Sequence, residues 1–153
     1  MSSQGKNTKN KTEDAKAIAP PDPPSPIMID ILGTVKDMEQ SIELARVVDR
    51  GIRESRMIDF EALCIEEGER VWMVYIDLHI LDNDGNLFDC CTLAAAAALS
   101  NAKIPNVQHG VADEDVDLPV TCWPISCTFG KLGDSVILDA TSDEEGVMSA
   151  RFT

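Results

Sequence analysis

An α+β fold is predicted by three features of the sequence. The first is an amphipathic helix over 41–59, in which Leu44, Val48 and Ile52 recur at four-residue steps with Ala45 beside them, a core-facing stripe. The second is a long strand over 70–81. Its residues Trp72, Val74, Ile76, Leu78 and Ile80 form one wholly apolar face, opposite Val71, Met73, Tyr75, Asp77 and His79. The third is a thin alanine-rich helix followed by short strands. With 153 residues and 44% hydrophobic content there is room for one domain with a core.

Residues 1–26 read as a disordered leader. Polar and lysine residues come first, then a proline run over 20–26 that favours an extended chain and forbids helix. The apolar run 27–35 fits a strand or an extension into the first helix, and periodicity does not choose between them. We place the leader at 1–36 and the folded part at 37–153.

The first helix carries a second stripe. Arg46, Arg50 and Arg53 lie on one face about a turn apart, three of only six arginines in the chain, with Arg56 close by. Asp49 precedes Arg53 by four residues and Arg50 precedes Glu54 by four, so one reading is a salt-bridged surface helix. The other is a phosphate-binding ridge for nucleic acid. Gly51, which costs about 1 kcal/mol relative to alanine in mid-helix, is expected to mark a close approach by another backbone.

Further along, 59–64 reads as a short helical turn, and His79 on the long strand as a hydrogen-bonded rather than catalytic histidine. The turn 82–86 imitates half of a calcium loop. With Gly85 in the sixth position, however, the first and twelfth ligand positions fall on Ile80 and Cys91, which excludes that site. Asp89 is expected to cap the alanine-rich helix, which runs to Ala102 before Pro105. An acidic loop spans 106–118. Strands are expected over 120–129 and 135–138, joined by a turn at 130–133. An acidic turn over 139–145 leads to a last strand over 147–153.

The formal charge is −14, with thirteen basic residues against twenty-seven acidic ones. Residues 1–19 carry four lysines and two acids, a net of +2, which leaves −16 on the remainder (nine basic, twenty-five acidic). So acidic a body excludes a free-standing nucleic-acid binder unless its few arginines are concentrated or a partner supplies the rest. The five cysteines form no C-x-x-C pair, and neither His79 nor His109 falls at zinc-finger spacing. Neither a disulfide framework nor a zinc site is therefore expected. The sequence predicts no signal peptide, no membrane span and a cytoplasmic protein.

The order of these pieces adds a further reading. IELARVVDRGIRES, LCIEEGERVWMVYIDLHILDNDGNLFD, the alanine-rich helix ending NAKIP, and ILDATSDEEGVMSARFT together resemble the RNase PH superfamily over 41–153. The likeness is strongest to members without an active site of their own, such as those in the ring of the archaeal exosome. The resemblance implies an RNase PH-like mixed sheet with packed helices, as in ribosomal protein S5 domain 2, truncated here at both ends. It also implies a hexameric ring shared with a catalytic homologue, phosphate-dependent 3′-to-5′ RNA degradation by that partner, cap proteins, RNA and no cofactor.

Two positions implied by the resemblance speak against catalysis in this chain. Catalytic members open the alanine-rich helix with a Gly-Ser/Thr-Arg element whose amides hold phosphate. The corresponding residues here are Asn86, Leu87 and Phe88. Catalytic members also place two acidic residues six apart, where this chain has Glu145 and Arg151, and an arginine cannot act as acid, base or metal ligand. The arginine stripe keeps the family's spacing, so the resemblance implies an RNA-contacting role for Arg46, Arg50 and Arg53. A divergent phosphorolytic exoribonuclease and a non-assembling fragment are the competing readings.

Overall fold

The computed structural model describes residues 27–33 and 38–153. The leader reading of 1–36 lies outside these residues except at Ile27–Gly33, which form strand β1. Strand therefore resolves the choice left open for the apolar run. β1 runs parallel to β4 (Val74–Ile80), with Ile27 opposite Val74 and Ile31 opposite Leu78. Helix α1 (Met38–Glu54) connects the two on one side and packs on β1 and on helix α2 (Leu87–Ser100), which also touches β4. One core fills the space between ribbon and helices. Leu44, Val48 and Ile52 of α1 meet Ile27, Ile31, Ile76 and Ile80 of the ribbon and Phe88, Cys91, Ala95, Ala96 and Leu99 of α2. Full burial of an aliphatic side chain such as Leu44 or Ile52 is worth about 1.5–3 kcal/mol.

Helix α1 ends five residues before the expected 59 because Arg56 takes a left-handed conformation (φ 54°). Its N–H donates to the Arg53 carbonyl and the Met57 N–H to the Ile52 carbonyl, at 3.1 and 3.2 Å. These two bonds form a Schellman ending, and the accompanying apolar contact is between Met57 and Ile52, both fully buried. Arg56 thus terminates the helix. The expected turn at 59–64 is a 3-10 turn at Glu61–Leu63.

The expected strand 70–81 is broken. β3 (Arg70–Val71) pairs with β2 (Cys64–Glu66), and the Trp72 N–H turns aside to the Leu63 carbonyl before β4 begins. The apolar face faces the core as expected, while His79 is exposed on the strand's outer face and its ring makes no hydrogen bond among the described residues, contrary to expectation.

The acidic loop 106–118 is shorter than expected. It holds α3 (Asn106–His109) and β6 (Val116–Asp117), which pairs with β5 (Lys103–Ile104). The strand expected over 120–129 is irregular until β7 (Phe129–Leu132), apart from a bridge between Ile58 and Val120. β7 lies between β8 (Ser135–Leu138) and β9 (Ala150–Phe152). The β7–β8 hairpin turns at Gly133 and Asp134 rather than over 130–133, because Gly133 supplies the positive φ of 60°. Gly130 stays in the strand, leaving room for Met148.

Candidate nucleic-acid interface

The arginine stripe is divided by its surroundings. Arg46 forms no ion pair among the described residues and lines an open crevice with Ile29, Asp30 and Ile31. Arg50 has a side chain 69% exposed, with a loose 3.9 Å contact to Glu54. Arg53 is different: its Nε donates to Asp49 Oδ1 at 2.6 Å and its Nη2 to the Ile27 carbonyl at 2.5 Å. Both i,i+4 pairs foreseen in the sequence therefore form, but only one is tight. Arg53 ties α1 to the start of β1, leaving Arg46 and Arg50 as the cations directed outward from α1.

Gly51 is not approached by a backbone. A Cβ there would meet only the Thr92 methyl at 3.9 Å, an ordinary contact. It lines a shallow groove of about 340 Å³ with Arg50, Thr92 and 124–126.

The second candidate region is the N-terminus of α2. Gly85 (φ 99°) packs so closely on 140–142 that a Cβ would lie 2.2 Å from the Ala140 carbonyl oxygen. The Ser142 N–H donates to the Asp84 carbonyl at 3.1 Å, so the acidic turn and the start of α2 are fastened together. The turn itself is a single helical turn, α4 (Ser142–Glu145), closed by a capping box between Thr141 and Glu144. Hydrogen bonds from the Thr141 N–H and hydroxyl hold the Glu144 carboxyl below its usual range.

This packing brings together the residues singled out in the sequence. The Asn86 N–H donates to Glu145 Oε1 at 3.0 Å. A helix-terminal amide, a group suited to holding an anion, thus faces a carboxylate of the same chain. Leu87 and Phe88 are buried in the core. Arg151 lies over the Phe88 ring, 4.3 Å from its centroid, and its Nη2 is 3.6 Å from Glu43 Oε2.

Asp89 is not the cap. The N-cap is Asn86, in a left-handed conformation without a capping hydrogen bond from its side chain. Asp89 accepts instead from the Thr128 N–H at 2.9 Å, the Thr128 hydroxyl at 2.8 Å and Asn86 Nδ2 at 3.0 Å. Burial pushes its pKa up, but bonds from Thr128, Ser126 and Asn86 outweigh that and hold the carboxyl below its ordinary range. Sequence reasoning missed this joint because Thr128 is thirty-nine residues away. Burial, helped by the neighbouring Cys90, raises the Cys91 thiol to about 11, which keeps it protonated at neutral pH. Among the described residues no group of three or more acidic, histidine or cysteine side chains could hold a metal ion. No helix among them is long and apolar enough to cross a membrane.

The model of the 3′ exoribonuclease family (RNase PH), domain 1, matches residues 33–105, and that of domain 2 matches 122–153. An exosome complex component Rrp42 from Methanocella arvoryzae is 53% identical over 115 residues, covering 75% of this chain and 44% of that protein. The protein of the same name from Methanothermobacter thermautotrophicus is 50% identical over 123 residues, covering 75% and 45%. The chain thus spans less than half the length of these relatives. A solved archaeal exosome core matches with a TM-score of 0.76 and 46% identity over 82% of this chain and 49% of that one. An Archaeoglobus fulgidus exosome with RNA bound to the active site matches with a TM-score of 0.78 and 42% identity, covering 86% and 56%. The fold is therefore RNase PH-like, as the sequence predicts.

Proposed function

The chain belongs to the RNase PH family of 3′ exoribonucleases, and from that premise we propose that it is a non-catalytic ring subunit of an exosome. In this reading it pairs with a catalytic RNase PH-like subunit in a hetero-oligomeric ring in the cytoplasm. It contacts RNA through Arg46 and Arg50 and shapes the active site of its partner, which carries out 3′-to-5′ degradation beneath cap proteins.

The observation that carries the non-catalytic part is the N-terminus of α2. Glu145 occupies the Asn86 amide, and Phe88 and Arg151 stack where the resemblance implies a hydrogen-bonding arginine and a carboxylate. Leu87 and Phe88 offer no side-chain donor to an oxyanion, and Arg151 offers no carboxylate. The RNA-binding part rests on the outward direction of Arg46 and Arg50 and on the relatives that form exosomes, one solved with RNA at its active site.

The test is RNA binding by the ring reconstituted with a catalytic partner. Arg46→Ala with Arg50→Ala is expected to weaken binding and to reduce the slope of log K against log salt by about 1.4, roughly 0.7 for each phosphate of a single strand that is no longer neutralised. Unchanged affinity and slope remove the RNA-contacting role of Arg46 and Arg50. Release of nucleoside diphosphates from RNA and phosphate by the purified chain alone overturns the non-catalytic reading, and failure to form a stable complex overturns the ring.

A further inference from the structure

Gly51 sits inside α1 with ordinary helical backbone, where glycine destabilises a helix relative to alanine. Neither a positive φ nor a close neighbour requires it, since an added Cβ would meet only the Thr92 methyl. The missing side chain leaves room instead for the groove of about 340 Å³ between α1 and 124–126. Val47 and Gly51 of α1, Thr92 of α2, and Pro124 and Ile125 line it. The Thr92 hydroxyl is committed to the Phe88 carbonyl at 2.8 Å, so Thr92 turns its methyl toward Gly51. The lining is thus largely apolar. Its charged members are Arg50 and Glu54, whose side chains are mostly exposed and touch only loosely, at 3.9 Å.

We propose that this groove receives one unpaired base of an RNA strand whose adjacent phosphate is held by Arg50. The inference rests on the RNA-contacting reading of Arg50 given above. Since Arg50 meets the strand in that reading, the groove it borders opens onto the same strand. A phosphate displaces the loosely held Glu54 from the guanidinium, and the base lays its flat face against the apolar wall of Val47, Pro124 and Ile125. Every base has such a face, so the groove accepts bases with little regard to sequence. Its volume is at the small end of the roughly 300–1,000 Å³ of small-molecule pockets, which suits a single base. Gly51 then has a function: a larger residue improves the helix and closes the groove.

The test is binding of a 5′-labelled single-stranded oligoadenylate to the ring reconstituted with a catalytic partner, followed by anisotropy in phosphate-free buffer. Gly51→Leu fills the groove with a good helix former. It is expected to weaken binding about fivefold, the low end of what stacking of one base contributes. The salt slope stays as it was, because no phosphate contact is lost. Gly51→Ala weakens binding in the same direction while raising Tm, so the loss cannot come from unfolding. Abasic residues placed one at a time along the strand weaken binding at one position that no longer matters in Gly51→Leu. If Arg46→Ala with Arg50→Ala leaves affinity unchanged, the RNA-contacting reading falls and this proposal with it. If that pair weakens binding and Gly51→Leu does not, the groove alone is rejected. A reduced salt slope in Gly51→Leu, or abasic losses identical in both rings at every position, also overturns the proposal. So does a Gly51→Leu chain that no longer enters the ring, which assigns the groove to a subunit contact.

Discussion

The guanidinium carbon of Arg151 lies 4.3 Å from the centre of the Phe88 ring, while Nη2 of the same group is 3.6 Å from Glu43. Two substitutions that the family resemblance places in separate catalytic elements thus touch each other, and the pair also reaches α1. Arg151→Ala is expected to lower unfolding free energy by roughly 1–2 kcal/mol, the cation–π interaction accounting for about half and the packing of the side-chain stem for most of the rest. Urea denaturation measures it. Arg151→Asp restores a carboxylate but is expected to yield no phosphorolysis, since Leu87 and Phe88 still supply no donor.

Arg53 is expected to act on stability rather than directly on RNA. Arg53→Ala removes two hydrogen bonds, leaves the Ile27 carbonyl without that donor, and costs about 1.5–3 kcal/mol. Arg53→Lys recovers only part of this, because an ammonium cannot reproduce the planar fork that serves Asp49 and Ile27 together. Thermal unfolding of the two variants separates these cases. Equal RNA binding by folded Arg53→Lys and the unsubstituted ring is the matching result on the functional side.

Two glycines should respond oppositely to alanine. At Gly51 the methyl meets only Thr92 at ordinary distance, and Gly51→Ala is expected to stabilise the chain by about 0.5–1 kcal/mol. At Gly85 the methyl would meet the Ala140 carbonyl at 2.2 Å on a positive-φ backbone. Gly85→Ala is expected to cost more than about 2 kcal/mol and to loosen the junction of α2 with α4. Chemical denaturation of the pair tests both signs.

Asp89 gives a pH dependence. Its folded pKa is depressed, so it adds stability above the unfolded value, near pH 4, and loses it as pH falls through the lower folded value. Asp89→Asn should therefore flatten the fall in stability below about pH 4. At pH 7 it should cost about 1 kcal/mol, a figure kept low because the group is partly open to solvent. Denaturation midpoints from pH 3 to pH 7 check the shape, and an unchanged acid limb rejects the role assigned to Asp89.

Much of the fold was legible because it is written in local periods. Leu44, Val48 and Ile52 at helical spacing, and Ile76, Leu78 and Ile80 at strand spacing, meet in one core. The Asp49–Arg53 and Arg50–Glu54 pairs were likewise fixed by separation along a helix. Boundaries were less legible. The helix end depends on a left-handed Arg56, a conformation with no glycine or asparagine to announce it. The break at Trp72 depends on a hydrogen bond to Leu63, nine residues earlier, across a hairpin.

By itself the sequence determined the α+β character, the buried stripes, the placing of Arg46, Arg50 and Arg53 on one helix face, and the residue types at 86–88 and at 151. Each follows from spacing or side-chain chemistry that any fold must respect. Only the tertiary structure decided which arginines remain outward. Arg53 differs from Arg50 because β1 brings the Ile27 carbonyl to it, twenty-six residues away in the chain. It likewise decided that Glu145 meets the Asn86 amide, that Arg151 covers Phe88, and that Asp30 faces Asp77. These last three pairings join residues 47 to 63 positions apart, where no local period reaches and only packing sets the distance.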